Sequence, residues 1–304
     1  MSSLPPRPNP TPRDIHYGEF YGLKEFDGDT ALVVVGNCQA ESLRIVLSDV
    51  GPSFRIPPVH EWEPEDMPYV TAAIERAGVL VCQPIRDDYR GLPAGTNQLA
   101  RYAKRVVLYP VMRFNALNPY LAIVRPPSAP SLDPPVVPYH DLRILTSLTG
   151  YEQVREPDYG AILEDTVHEM RIREDANGSV RMSDYLRTFP IWHTLNHPDN
   201  ATMEELGRRV LSSIDPAANP SLAKAPADRQ MLGNLRSPID AAAARHFGVD
   251  VSRPHWLQGG HELPYQDIVA AQTGFYANHP DALDAGITRH AELLDQLGFV
   301  RKGA

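Results

Sequence analysis

Ala31-Leu-Val-Val-Val-Gly-Asn-Cys-Gln39 is the stretch on which the reading of this chain turns. Its first five residues form a short apolar run rich in β-branched side chains, which predicts a buried strand. Gly36-Asn37 end the run, and residues 39–48 place Leu43, Val46 and Leu47 on one helical face. The pattern then recurs. Strands are predicted at 53–56 (before Pro57-Pro58), 78–83 and 105–109, and helices at 65–76 and 96–102. Alternation of this kind over about 80 residues predicts an α/β fold: a mostly parallel sheet with flanking helices in the N-terminal half.

Outward from this core the text changes. Residues 1–12 carry five prolines and no periodicity, and with the polar and aromatic residues 13–30 they read as an arm (1–28) and surface lead-in to a core at 29–125. Residues 126–138 hold six prolines, which marks a loop or boundary. Beyond it the C-terminal half, 139–304, is predominantly helical and is expected to pack on the core. Helices are predicted at 139–150, 157–176, 181–187, 201–214, 236–247, 263–277 and 281–297, with few convincing strands.

The 304 residues hold 29 basic and 38 acidic side chains, a formal charge of −9. A polyanion of this size is a poor non-specific nucleic-acid binder, and no nucleic-acid partner is expected. No apolar run reaches the roughly 18 residues of a spanning helix, and residues 1–12 lack the apolar stretch of a secretory signal. Cys38 and Cys82 cannot build a disulfide framework, so a reducing cytoplasm is the simplest setting.

The chemistry begins at Cys38. Ligands of open α/β sheets bind at the carboxyl ends of strands, and the first strand delivers this cysteine to that edge. Gly36 suits the tight turn. The amides and positive end of the following helix are expected to favour a thiolate and to serve an oxyanion, with the side-chain amides of Asn37 and Gln39 as further donors. The competing reading is a small buried hydrophobe, and for Cys82, inside Val79-Leu-Val-Cys82, that reading prevails.

A nucleophilic thiol needs a base. His140 stands in Val137-Pro-Tyr-His-Asp141, where the proline-rich loop enters a predicted helix; it either faces a cleft, oriented by Asp141 or another acid, or caps the helix start. His197 stands in Thr194-Leu-Asn-His-Pro198. Pro198 favours an extended His197, which argues against a helical His193/His197 metal pair. Asn-His-Pro recurs at 278–280, but the first copy follows Phe189-Pro-Ile-Trp192, which suits a pocket wall. A third feature is charge. Arg86, Arg90, Arg101, Lys104, Arg105 and Arg113 face only Asp87 and Asp88 over residues 86–113. Cations after the third strand suit a phosphorylated ligand, or else pair with acids at the surface.

There is no G-x-G-x-x-G after the first strand, no G-x-x-x-x-G-K-[ST], no G-x-S-x-G, no H-E-x-x-H and no Cys/His cluster of zinc spacing. An ordinary dehydrogenase, kinase, serine hydrolase or zinc enzyme is disfavoured, and no metal is expected.

The strand-Gly-Asn-Cys-Gln start at 31–39 resembles that of the WcbI-type polysaccharide biosynthesis proteins, which are acetyltransferase-like and bind coenzyme A. So do Gln83-Pro-Ile-x-x-x-Tyr89-Arg90, Tyr139-His140-Asp141 and Asn196-His197-Pro198, in that order over about residues 30–215. The resemblance implies an α/β core with a helical remainder and a bound coenzyme A or acyl-coenzyme A as substrate. It implies that Cys38, Gln39, His140 and His197 gather near the thiol end of that molecule, with Asn196 positioning beside them. Gly36, Gln83, Arg86, Tyr89, Arg90, Arg101, Lys104 and Arg105 are then the expected coenzyme A contacts. The function expected is transfer of an acyl group, acetyl foremost, to a hydroxyl or amine of a small molecule or saccharide. Two alternatives stand beside it: a thioesterase or esterase using the same Cys/His site, and a non-catalytic coenzyme A-binding protein.

Overall fold

The computed structural model describes residues 6–26 and 29–303. The chain forms two compact units, each assembled from separate stretches: Met1–Met112, Met170–Asp184 and Pro198–Leu232 in the first, Arg113–Glu169, Tyr185–His197 and Gly233–Ala304 in the second.

The first unit is built on strand β1 (Leu32–Val35), strand β2 (Val79–Cys82) and strand β3 (Val106–Leu108), parallel and in that order. Leu32 pairs with Val79 and Cys82 with Leu108. β1 is buried along its whole length, as expected of a parallel strand covered on both faces. Helix α1 (Pro12–His16) precedes it, and helices α2 (Cys38–Val46) and α3 (Met67–Arg76) lie between β1 and β2. The predicted helix at 96–102 is a single α-turn, Thr96–Leu99, continued as a 3₁₀ turn, Ala100–Tyr102.

Two expectations for this half are corrected. Residues 53–56 join no sheet. Their alternation is real, since Phe54 and Ile56 enter the core, but Pro57 and Pro58 carry no N–H with which to extend a ladder. The lead-in at 13–30 is not a surface segment where it is described. Tyr17, Phe20 and Tyr21 are core residues, and Arg7 and Arg13 both bond the buried carboxylate of Asp66. Residues 1–5 and 27–28 of the expected arm lie outside the described residues.

The second unit is helix-rich. Its helices include Leu142–Leu148, Ala241–Phe247, Tyr265–Asn278, Asp281–Arg289 and Ala291–Gln296. Short antiparallel pairs accompany them: Leu121–Ala122 with His140–Asp141, Tyr151–Gln153 with Phe299–Arg301, and Leu235–Arg236, Trp256–Gln258 and His261–Leu263 as three neighbours. The helix predicted from residue 139 therefore starts at Leu142, because Asp141 accepts the N–H of Arg143 and acts as its cap. The helix predicted over 281–297 breaks at His290, and 181–187 yields only a 3₁₀ turn, Tyr185–Thr188. The helices Tyr159–Asn177 and Asn200–Ile214 match their predicted positions. Among the described residues no helix is long and apolar enough to cross a membrane.

Candidate active site

β1 ends at Val35, and the chain turns through Gly36 and Asn37 into α2, so that Cys38 is the first helical residue. Asn37 is the cap: its side-chain oxygen accepts the N–H of Gln39 at 2.9 Å. Gly36 is required by close approach. A Cβ there would lie 2.4 Å from the Tyr109 hydroxyl and 2.6 Å from Gln83 Oε1. Both neighbours are buried, so Gly36→Ala is expected to destabilise the unit by about 1–3 kcal/mol, as overpacking does. Urea unfolding measures it, and a wild-type midpoint would show that the turn can shift.

Gln83 and Gln39 form the bracket that holds this turn. Gln83 Oε1 accepts the N–H of Asn37 at 2.8 Å, and its Nε2 donates to Gln39 Oε1 at 3.1 Å. Gln39 Nε2 donates to the Met112 carbonyl at 2.9 Å, and Gln39 Oε1 accepts the Met112 N–H. Both glutamines are buried. The Gln39 amide is thus engaged by Met112 and Gln83 in the interior, and Gln83 supports the turn.

Cys38 is half-buried and lines a cavity of about 440 Å³. Burial pushes its thiol pKa up, against the pull of the N–H groups of Cys38 and Gln39, and the net direction is upward. The expected depression by the helix end is therefore outweighed in this state. Asn37, Ser42, Tyr17, Arg55, His60 and Arg229 line the same cavity. Burial lowers the pKa of His60, with Arg90 pushing the same way and Glu61 opposing. Cys82, by contrast, sits fully inside β2 with its thiol pushed up to about 12 by burial, and is structural.

The predicted cations disperse. Arg86 lines a second cavity, of about 600 Å³, with Thr96 and Arg173. Residues following β2 and β3 form its wall, so it opens on the carboxyl edge of the sheet. Arg90, with φ of 55°, donates to the His60 carbonyl, and Tyr89 packs against the core. Arg101 and Lys104 are exposed. Arg105 donates to the carbonyls of Ser213 and Ile214 at the end of Asn200–Ile214, as a cation at a helix C-terminus does.

His140, His197 and Asn196 belong to the second unit. His140 is buried in its short strand, so it is not an exposed helix cap; its Nδ1 is 2.6 Å from the Tyr276 hydroxyl. Burial draws its pKa down to about 4, helped by Arg125 and His290 and opposed by a hydrogen bond with the Val124 backbone. Asp141 does not orient it, being held by Arg143 and Tyr265. His197 is half-buried with its pKa drawn down to about 4 by burial. The backbone turn of Thr194 and His197 holds it, and no helix carries it with His193. The two histidine motifs are joined directly, since the Tyr139 hydroxyl donates to Asn196 Oδ1 at 2.6 Å and the Tyr139 and His197 rings meet edge-on. Among the described residues no group of three or more His, Cys, Asp and Glu side chains is placed to hold a metal ion.

The sequence reading missed Tyr17, Arg55, His60 and Arg229. Nothing in the local text of Arg55, His60 or Arg229 marks them, because each lies far along the chain from Cys38 or on an irregular segment.

The model of the family described as the polysaccharide biosynthesis enzyme WcbI matches residues 31–219. A solved structure of WcbI, likewise described as a polysaccharide biosynthesis enzyme, is similar over 89% of this chain and 98% of its own, with a TM-score of 0.71 at 17% identity. At that identity the likeness is one of fold. That structure is of the native protein without a disulfide bond between coenzyme A and one of its cysteines. No curated protein matches.

Proposed function

Since this chain belongs to the WcbI family of polysaccharide biosynthesis enzymes, we propose that it is an acyl-coenzyme A-dependent acyltransferase acting on a hydroxyl or amine of a saccharide or other small molecule. The observation that carries the reading is the setting of Cys38. It is the first residue of a nine-residue helix, half-buried in a cavity, with backbone N–H groups directed at its sulfur. The relative's coenzyme A and cysteine supply the donor by analogy.

In the proposed reaction the Cys38 sulfur attacks the thioester carbonyl carbon of the donor. A new S–C bond forms, the bond to the coenzyme A sulfur breaks, and the thiol proton passes to that sulfur. The acceptor's oxygen or nitrogen then attacks the acyl-cysteine and its proton returns to Cys38. The Cys38 N–H and the side-chain NH2 of Asn37 are assigned to the oxyanion of each step, the Gln39 N–H being held by the cap. Burial keeps the resting thiol protonated, so a base is needed. His60, His140 and His197 all have lowered pKa values, so each is in the neutral, proton-accepting form near neutral pH. His60 lines the Cys38 cavity, and we assign it the thiol proton. Guanidinium donors suit the donor's phosphates, and Arg86 with Arg173 on the second cavity is our choice for them. The two free cysteines suit a reducing, cytoplasmic setting.

The test is intact mass spectrometry of the full chain after incubation with acetyl-coenzyme A. A labile acetyl adduct mapped to Cys38, discharged by a saccharide acceptor, is the expected result. Discharge to free acetate at one rate with or without acceptor would assign the site to hydrolysis instead. Tight coenzyme A binding with no adduct and no turnover would leave a binding protein.

A further inference from the structure

The Cys38 cavity is completed by residues outside the stretch that the family model matches: Tyr17 on one side of it in sequence, and Arg229, Met231 and Leu232 on the other. Two of its cations have donor capacity to spare. Arg55 Nε is buried and makes no hydrogen bond, and Glu41 Oε1 stands 3.8 Å from it. Both oxygens of Glu41 are already taken by Arg44, at 2.8 Å each. The Arg55 guanidinium lies over the Tyr17 ring, 5.2 Å from its centroid, a contact that uses none of its N–H groups. The other acid of the lining, Glu61, has Arg13 at 3.9 Å.

Arg229 has no ion pair among the described residues, yet the loop that carries it is pinned. Asn200 Nδ2 donates to the carbonyls of Pro226 and Arg229, and Asn200 Oδ1 accepts the N–H of Met231. Leu232 then takes a φ of 57°, a conformation a branched side chain adopts only when its surroundings impose it. The loop is strained and firmly anchored, and it presents to the cavity an exposed arginine with no ion pair among the described residues.

We propose that this cavity selects an acceptor bearing an anionic oxygen group, a carboxylate or a phosphate, and that Arg55 and Arg229 are the residues that recognise it. The inference rests on Cys38 being the reacting thiol and adds the acceptor's chemical class to that reading. A neutral saccharide offers neither guanidinium a charge partner, whereas an anionic oxygen group offers both charge-assisted hydrogen bonds, so the site favours the anion. Asn200 is a positioning residue, acting through the loop.

The test is isothermal titration of the full chain with glucuronate, inorganic phosphate, glucose and coenzyme A, each against wild type, Arg229→Gln and Asn200→Ala. Glucuronate or phosphate, or both, should bind at least about tenfold more tightly than glucose, and Arg229→Gln should weaken that binding about tenfold while leaving coenzyme A unchanged. Whichever anion is preferred tells a carboxylate acceptor from a phosphate one. Asn200→Ala should weaken the same ligands with Arg229 still present, and Arg229→Lys should recover part of the loss. Equal binding of glucose and both anions overturns the proposal, and so does an equal loss of coenzyme A affinity in Arg229→Gln, which would make the pair a donor contact. Arg229 is exposed, so the variant's fold is not at risk. Binding needs no turnover: absence of an acyl-Cys38 adduct with anion selectivity intact would fault the transferase reading and not this one.

Discussion

Cys38→Ala is expected to lower acyl transfer by about 10³-fold or more and to abolish the acetyl adduct, while the unfolding midpoint stays at the wild-type value. The separation of the two effects follows from where the residue sits. Cys38 opens α2 but does not hold it: the Asn37 cap, the Gln83 and Gln39 bracket and the apolar face of Leu43 and Val46 all remain. Alanine is a good helix former at that position. The sulfur, in contrast, has no replacement in its cavity. Tyr17, Ser42 and His60 offer oxygen or nitrogen there, but none starts a helix whose N–H groups converge on the reacting atom. Cys38→Ser keeps the position and replaces the thiol with a far less acidic hydroxyl, so it should stay close to the alanine variant. Turnover and intact mass are measured together. Full turnover in Cys38→Ala would show direct transfer from donor to acceptor, and then the cavity positions both substrates without a covalent step.

The parts of this molecule that were legible in sequence are those where one local pattern dictates one local structure. Leu32–Val35 and Val79–Cys82 are apolar runs with turns after them, and they became β1 and β2. Gly36-Asn37 was expected to end the strand and does so, while the cap that Asn37 supplies to α2 was not foreseen. What was not legible is what other parts of the chain decide. Residues 53–56 alternate like a strand, yet the prolines that follow deny them a ladder. The partners of Gln39 and Gln83 lie far off in sequence: Met112 and Gln83 for Gln39, Gln39 and Asn37 for Gln83. Nothing local shows that Asn200–Ile214 ends beside Arg105. Tyr17, Phe20 and Tyr21 were open to a closer reading: spacings of three and four residues make an aromatic stripe on one helical turn, and large rings at that spacing are buried. The cationic residues of the Cys38 cavity, Arg55 and Arg229, had no such signal, since a cavity wall is assembled only by the tertiary fold.

The stripe's anchor gives the largest stability effect expected here, that of Asp66→Ala. The Asp66 side chain has no solvent exposure. Its Oδ1 accepts from Arg7 at 2.6 Å and from the Tyr21 hydroxyl at 2.8 Å, and its Oδ2 accepts from Arg13 at 3.2 Å and from the Glu63 N–H at 3.1 Å. Removing one partner of such a network leaves the others buried and uncompensated, which typically costs about 3–5 kcal/mol. Arg7 and Arg13 keep 22% and 31% of their side-chain surface in solvent, so they recover part of their hydration and the lower end of that range is expected. Tyr21 is fully buried: its hydroxyl still accepts from Arg13 at 2.5 Å but loses the acceptor of its own proton, which no water replaces, and that donor becomes the main penalty. The pH dependence has a definite sign. Burial raises the Asp66 pKa, but the Glu63 N–H, the Tyr21 hydroxyl, Arg13 and Arg7 together outweigh it and hold the carboxyl below its ordinary value. A depressed carboxyl pKa gives stability that is fully present above the ordinary value and is lost as pH falls through the folded-state one. Wild type should therefore lose stability in acid faster than Asp66→Ala, and urea midpoints of the two should converge as pH drops. The effect reaches the site as well. Tyr17 lies between Arg13 and Tyr21 and carries the Arg55 guanidinium on its ring, so releasing the anchor should speed alkylation of Cys38 by iodoacetamide. Parallel midpoints at every pH would mean that Asp66 contributes shape and not charge. Unchanged alkylation in a destabilised variant would mean that the aromatic stripe supports the core without closing the cavity.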